Sequence, residues 1–273
     1  MSCLTIVLCV PNPKHTKNTT AKWRLSTFWD TSAFNNPCFN WLTAAVFFIF
    51  LGFYPVFFNL EEWAAYMELG YREDIRPDHF PSNSVQTFEL LSIMNASSFL
   101  GRLVSATISD YLGTKGALHV HGFVTSISSI LLLAFWPFAD TVPKARAFVF
   151  LFGMFSGAVI GLPAASMAFV IGKRNKLAQS KLGQWVGMMY TVAALSAMVG
   201  PLIAGHLITE FTSFLTVQLW TGASLFIAAA CMVVCMYYER RQRQRRMSGA
   251  TIDQVKSIES AGGIALPTRH NTG

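Results

Sequence analysis

Two charged residues, Glu89 and Arg102, interrupt one apolar segment of this chain and are the first candidates for chemistry. In a bilayer-spanning helix, a central charge costs at least about 2.5 kcal/mol on insertion scales, so each needs a reason to be there. At 1.5 Å per residue the two side chains lie about 20 Å apart along a helix and cannot pair within it. Glu89, near the segment's start, is predicted to be an interfacial residue rather than a proton carrier.

Arg102 belongs to a polar stripe with Asn95, Ser98 and Ser105, which recur at helical spacing. The guanidinium could extend to a membrane interface or bind an anion in a polar cavity. The stripe itself could line a substrate pathway or form hydrogen bonds between helices. The arginine favours the pathway, which makes Arg102, Ser98 and Asn95 the candidate substrate-binding residues, with both alternatives for the guanidinium still open.

Small residues and prolines form a second pattern. Glycines four residues apart let helices approach closely, and an internal proline removes a helical hydrogen bond and can kink its helix. Both features suit a moving transporter, and both also occur in static packing. The predicted helix-packing residues are Gly153, Gly157, Gly161, Gly183, Gly187, Gly200, Pro201 and Gly205.

No set of side chains in the sequence has the pattern of an enzyme. We find no nucleophile–base arrangement, phosphate-binding loop or paired carboxylates, and the five cysteines lack the spacing of a metal site or disulfide framework. His119, His121 and His206 are predicted to lie near interfaces as ordinary polar residues. We therefore expect no enzymatic activity, no cofactor and no metal.

The elements that position these residues are predicted to be membrane helices. Of 273 residues, 52% are hydrophobic and only 13% charged, and the apolar residues fall into blocks long enough to span a bilayer. Continuous blocks favour helices over a barrel. The predicted all-α integral membrane bundle has six spans: Phe39–Leu60, Val85–Ser109, Gly116–Phe138, Ala145–Gly172, Gly183–Ile208 and Phe214–Tyr238.

Lysine and arginine are distributed unevenly between the two sides of this arrangement. Sixteen lie in the terminal segments and the loops on one side, and four lie on the other. This asymmetry predicts cytoplasmic termini, with a cytoplasmic segment over 1–38, the membrane domain over 39–238 and a basic, disordered tail over 239–273. The arginines at 240–246 are expected to face anionic membrane lipid, and no nucleic-acid partner is expected.

The stretch Asn95–Gly116, NASSFLGRLVSATISDYLGTKG, resembles the eighth helix and following loop of the major facilitator superfamily. The resemblance is to its monocarboxylate-transporter-like branch with fungal members. The stretches at 151–170 and 183–208, and FWDTSAFNNPCFNWL at the entry to the first span, are also similar. Together the resemblance covers about residues 28–238.

The resemblance implies that Arg102 binds a substrate carboxylate and that Gly101, Asp110 and Gly113 belong to a gating loop. Three positions depart from the pattern. Ser98 stands where animal carriers have an aspartate, which leaves proton coupling open. Tyr111 replaces a basic loop residue, and Trp185 replaces the arginine of a Gly-x-Arg-x-Gly pattern.

The resembling fold has twelve helices in two halves, and this chain corresponds to the C-terminal half, with residues 1–10 similar to the end of a preceding helix. We therefore expect a plasma-membrane transporter of a small organic anion that is truncated, forms a homodimer or needs a complementary half. The alternatives are a non-transporting membrane protein that associates with or regulates full-length carriers, and a channel or unrelated six-span carrier.

Overall fold

The computed structural model describes residues 29–72, 78–79, 84–113, 116–171 and 181–261. A short 3₁₀ segment, Thr31–Asn35, precedes the first long helix, and α3 continues through a π-helical turn, Leu131–Phe135, and a 3₁₀ turn, Trp136–Phe138. The α-helices are α1 (Pro37–Tyr66), α2 (Thr87–Tyr111), α3 (Gly116–Ile130), α4 (Val142–Gly161), α5 (Pro163–Ile171), α6 (Leu182–Phe211) and α7 (Phe214–Ala261).

Within the described residues, five helical segments are long and apolar enough to cross a membrane: Pro37–Tyr66, Gly116–Phe138, Val142–Ile171, Leu182–Phe211 and Phe214–Arg245. The 25-residue α2 is not among them, because its serines, Arg102 and Asp110 lower its hydropathy. Its length of about 37 Å nevertheless exceeds the hydrocarbon core of a bilayer. The predicted all-α membrane bundle is confirmed, with α2 as its most polar long helix.

Helix ends follow local sequence signals. The Asn36 side chain accepts a hydrogen bond from the Cys38 N–H at the start of α1, where Pro37 occupies the first helical position. Pro163 has no N–H to donate, and the helix of the predicted fourth span breaks at Leu162 into α4 and α5. The fourth span is therefore two helices rather than one continuous helix.

The loop between α1 and α2 contains the sheet. Strand β1, Gly70–Tyr71, pairs in parallel with strand β2, Val85–Gln86. This pairing brings the end of α1 next to the start of α2.

The buried apolar residues of the described ranges form two clusters, one toward each end of the bundle. One includes Phe39, Trp185 and Met232, and it lies at the end where the Gln242 amide donates to the Asn36 side chain. We call this the basic end, because α7 carries its arginines there. The cluster toward the opposite end contains a stacked pair, Trp136 and Phe148, with centroids 5.5 Å apart.

We predicted that the tail after residue 238 is disordered, but the structure is helical up to Ala261. α7 runs for 48 residues and continues through the arginine-rich segment without a break. Arginine, glutamine and methionine all favour helices, so the chain stays helical after its apolar stretch ends. Residues 262–273, and the predicted N-terminal segment up to residue 28, lie outside the described residues.

Candidate functional site

The contact between α2 and α4 is built from small residues. An added Cβ at Gly101 would collide with the Met154 carbonyl, and one at Gly157 would collide with the Ser98 backbone. At Gly153 it would meet the Ser97 hydroxyl and, at 2.5 Å, the Met94 carbonyl. Of the residues predicted to pack helices, Gly153 and Gly157 thus lie where two backbones touch, and Gly101, predicted for the gating loop, packs in the same contact.

This contact divides the predicted polar stripe. Ser98 and Ser105 are each 4% exposed and buried between helices, and the Ser105 hydroxyl donates to the Arg102 carbonyl at 3.1 Å. Asn95 and Arg102 lie on the exposed surface of α2, about 10 Å apart along its axis. Of the three predicted substrate ligands, Asn95 and Arg102 are accessible, and Ser98 is enclosed by the packing against α4.

Arg102 carries its charge on an open face of the bundle. Its Cγ lies 3.5 Å from where a Cβ of Gly161 would be, so the stem of the side chain passes along the end of α4. Among the described residues the guanidinium has no hydrogen-bond or ion-pair partner. An apolar groove of about 360 Å³ between α2, α3 and α4 is lined by neighbours such as Val104 and Phe123, but not by Arg102.

Asn95 donates from its side-chain amide to the Leu91 carbonyl at 3.0 Å on its own helix. This intrahelical bond occupies a donor and leaves the amide oxygen as an acceptor. Asn95 and Arg102 therefore present one acceptor and one positively charged donor group on the same helical face.

The predicted gating residues Asp110 and Gly113 lie where α2 ends. Asp110 is exposed in the last turn, and Gly113 has a φ of 65°, in the left-handed region. A residue with a Cβ would be strained in this conformation, which is typical of the position after a helix C-terminus. Gly116, at the start of α3, lies directly against the Ser109 carbonyl. The turn between α2 and α3 is therefore tight.

The predicted packing residues of α6 have a different environment. A Cβ at Gly183, Gly187 or Gly205 would meet no heavy atom within 4 Å among the described residues, so these glycines do not contact another helix of the described bundle. Gly200, next to Pro201, is the exception, since its Cβ position lies 2.6 Å from the Leu51 carbonyl of α1. Small-residue spacing alone did not distinguish these cases.

His121 was predicted to lie near an interface, but the structure places it inside the bundle. Its side chain is fully buried, and its Nδ1 lies 3.0 Å from the Ser166 hydroxyl of α5. The ring also lies beside the Val159 carbonyl. That carbonyl is the one that Pro163 leaves without a helical donor. His121 therefore packs against the helix break between α4 and α5.

Glu89 lies at the end of the bundle opposite the basic end and pairs with Arg146. Its carboxylate accepts from Arg146 at 3.0 Å, and both side chains are nearly half exposed. This exposed pair joins the start of α2 to the start of α4.

A polar cluster at the basic end was not identified from the sequence. The Lys181 ammonium donates to the Asp30 carboxylate at 2.8 Å, and the Trp185 indole N–H donates to the same oxygen at 3.2 Å. The Ser32 hydroxyl and N–H donate to the other oxygen at 2.7 and 3.2 Å. We call Asp30, Lys181 and Trp185 the Asp30 clamp.

The Lys181 ammonium, with the Ser32 hydroxyl and the Trp185 indole, holds the pKa of Asp30 well below its ordinary value of 3.8. The carboxylate is therefore ionised at neutral pH. The sequence contained one signal of this site, because an aspartate two residues before a serine is a helix N-cap pattern. The partner Lys181 lies 151 positions away, and only the fold brings it there.

The sequence is similar to fungal transporters. Over 199 residues it is 30% identical to the aspyridones efflux protein of Emericella nidulans, a match that covers 72% of this chain and 36% of that protein. Over 150 residues it is 30% identical to an MFS-type transporter of Penicillium oxalicum, covering 55% of this chain and 33% of the relative. The chain belongs to the major facilitator superfamily.

A third relative, the agnestins efflux protein of Paecilomyces divaricatus, is 25% identical in a match that covers 75% of this chain and 42% of that protein. The chain thus spans less than half the length of these three relatives. No family model and no solved structure matches it. The bundle of long apolar helices is consistent with this membership.

Proposed function

We propose that this chain is the C-terminal six-helix half of a secondary transporter that moves a small organic anion of the monocarboxylate type. The observation that carries the proposal is Arg102, a cation on an open face of a membrane helix without a counter-charge among the described residues. Placing such a charge within a bilayer is unfavourable unless an anion pairs with it. A substrate carboxylate would supply that anion.

The proposed chemistry of binding follows from the guanidinium. Its planar donors match the two oxygens of a carboxylate, and the paired hydrogen bonds strengthen where water is excluded. Asn95, about 10 Å away on the same face, would accept a hydrogen bond from the far end of a longer substrate. Ser98 would take part only if α2 and α4 separated, because it is enclosed between them.

The names of two relatives favour export, since they are called efflux proteins for aspyridones and agnestins. Together with the distribution of lysine and arginine, this supports outward transport across the plasma membrane with both termini in the cytoplasm. In this orientation the Asp110–Gly113 turn would lie at the cytoplasmic side and act in gating. A complementary half or a second copy would cover the open face of α6.

The test is uptake of radiolabelled pyruvate into liposomes that contain the purified chain. Arg102→Ala should lower the initial rate at least tenfold, because it removes a charge-assisted pair of hydrogen bonds. Arg102→Lys should fall between the two, since lysine keeps the charge but lacks the planar fork. Arg146→Ala is the matched control. Its initial uptake rate should stay within twofold of the wild type, because Arg146 pairs with Glu89 at the end of the bundle opposite the basic end.

Uptake that Arg102→Ala leaves unchanged would remove the anion-site assignment. A chain that takes up no pyruvate in any variant would show that it does not transport this anion alone, which fits both the need for a complementary half and the second candidate, a non-transporting protein that associates with full-length carriers. The exposed α6 surface is the observation that supports that candidate. Light scattering distinguishes a monomer from a self-associated dimer, since the dimer has twice the 30.2 kDa mass of the chain.

A further inference from the structure

The Asp30 clamp joins two parts of the chain that are far apart in sequence. Asp30 precedes the 3₁₀ segment before α1, whereas Lys181 and Trp185 lie at the start of α6. The Asp30 side chain is only 12% exposed and accepts hydrogen bonds from Ser32, Lys181 and Trp185. Hydrogen bonds to an ionised group are among the stronger ones in proteins, so this contact holds its two sides together firmly.

An apolar base supports the clamp. The Trp185 ring is 7% exposed and meets the buried Phe39 of α1 edge-on, with centroids 5.4 Å apart. The Asp30 N–H lies 3.3 Å from the sulfur of Met188, one turn further along α6 and 2% exposed. The first two turns of α6 are therefore fixed to α1 by both charge and packing.

The rest of α6 is held much less. Of its most apolar 18 residues 22% are buried, against 50% or more in the other four apolar segments. Beyond the contact of Gly200 with Leu51, Ala204 is fully buried and Ile208 packs against the core, but Leu202 is 69% and Phe211 58% exposed. Pro201 also removes the helical hydrogen bond to the Ala197 carbonyl. The part of α6 after Pro201 is thus the part that the rest of the described bundle covers least.

We propose that Asp30, Lys181 and Trp185 form an anchor that fixes the start of α6 to α1, so that α6 shifts about a fixed pivot at the basic end. The three are positioning residues and do not contact a substrate. This assignment goes beyond the proposed transport and does not depend on it, because it concerns the placement of one helix. Movement of α6 would be greatest after Pro201.

Amide hydrogen exchange of the full chain in lipid nanodiscs, read by mass spectrometry, tests the anchor. In Asp30→Asn and in Lys181→Met, exchange over residues 182–190 should rise about tenfold, as expected for loss of a hydrogen bond to a charged group. Exchange over 202–211 should stay within twofold of the wild type. Glu89→Gln, which breaks an ion pair of similar length at the opposite end, is the control and should leave 182–190 unchanged.

Three further variants separate positioning from general stability. Lys181→Arg keeps the charge and should match the wild type. Trp185→Phe keeps an aromatic ring against Phe39 but loses the indole donor, and it should raise exchange over 182–190 about threefold. The double variant Asp30→Asn/Lys181→Met should exceed neither single variant by more than twofold, because both remove the same interaction.

The anchor is overturned if both single variants leave exchange over 182–190 within twofold of the wild type. Additive effects in the double variant would also overturn it, since they would mean that the two residues act separately. A rise that spreads through α2 in every variant would show loss of the fold instead of a local anchor, and would overturn the assignment too. None of these outcomes depends on pyruvate uptake, so the two proposals fail separately.

Discussion

Helices α4 and α6 both carry glycines at four-residue spacing, and the structure gives the two sets opposite surroundings. Gly157 of α4 touches the Ser98 backbone of α2, so neither helix can accept a side chain there. Gly187 of α6 has no heavy atom within 4 Å of its Cβ position among the described residues. Glycines four residues apart therefore permit close contact between helices, but this spacing does not show whether another helix of the chain makes that contact.

α4 and α6 also differ in how freely each can move. The α2–α4 contact joins backbones along several turns, and such a contact cannot slide without steric collision. α6 meets the bundle through the Asp30 clamp, through buried residues such as Met189 and Ala193, and where Gly200 touches Leu51. We expect α2 and α4 to behave as one rigid unit and α6 to be the more adjustable helix.

The largest effect that would test this comparison is at the tight contact. Gly157→Ala should lower the free energy of unfolding by about 2 kcal/mol or more, since the added methyl collides with the Ser98 backbone. The matched variant Gly187→Ala should change it by about 0.5 kcal/mol or less and in the stabilising direction, because alanine favours the helix. Thermal unfolding of the detergent-solubilised chain measures both. Equal losses at the two positions would show that α6 packs as tightly as α4.

A smaller effect concerns pH at the Asp30 clamp. The folded chain lowers the pKa of Asp30, so its contribution to stability is fully present above the ordinary value of 3.8 and is lost as the pH falls through the lower folded value. Amide exchange over residues 182–190, corrected for its intrinsic pH dependence, should therefore be constant between pH 8 and pH 5. It should rise only below about pH 4, and Asp30→Asn should not show that rise. A change centred near pH 6 would indicate another titrating group.

The smallest effect is expected at Arg102. Arg102→Ala should change the free energy of unfolding by less than about 0.5 kcal/mol, because an exposed side chain without a partner among the described residues supports little of the fold. Thermal unfolding in the absence of an organic anion measures this. A loss above 2 kcal/mol would assign Arg102 to the structure of the bundle and weaken its proposed part in binding.

Much of the fold was predictable from the sequence. Apolar blocks of sufficient length determine membrane helices, because a buried backbone without internal hydrogen bonds is too unfavourable in lipid. The start of α1 at Pro37, the turn at Gly113 and the break at Pro163 also follow from local sequence, since each depends on the backbone preferences of one or two residues. The continuation of α7 through the arginines does not follow from the length of the apolar block, because it depends on helix propensity beyond that block.

The candidate site was predictable only in part. The spacing of Asn95, Ser98 and Arg102 placed them near one helical face, but whether a neighbouring helix covers that face depends on packing direction. It is the tertiary packing of α2 against α4 that buries Ser98 and leaves Arg102 exposed. A residue on the edge of a helical stripe is buried or exposed according to a rotation that no local preference sets.

By itself, the sequence determined an all-α membrane bundle, the ends of several helices and a cation within a polar helix, because each depends on composition or on neighbours a few residues away. The tertiary structure decided which glycines have a partner, which serines are enclosed and that Asp30 meets Lys181 and Trp185. Those outcomes depend on distances between segments far apart in the chain. Such distances are set by how all the helices pack together.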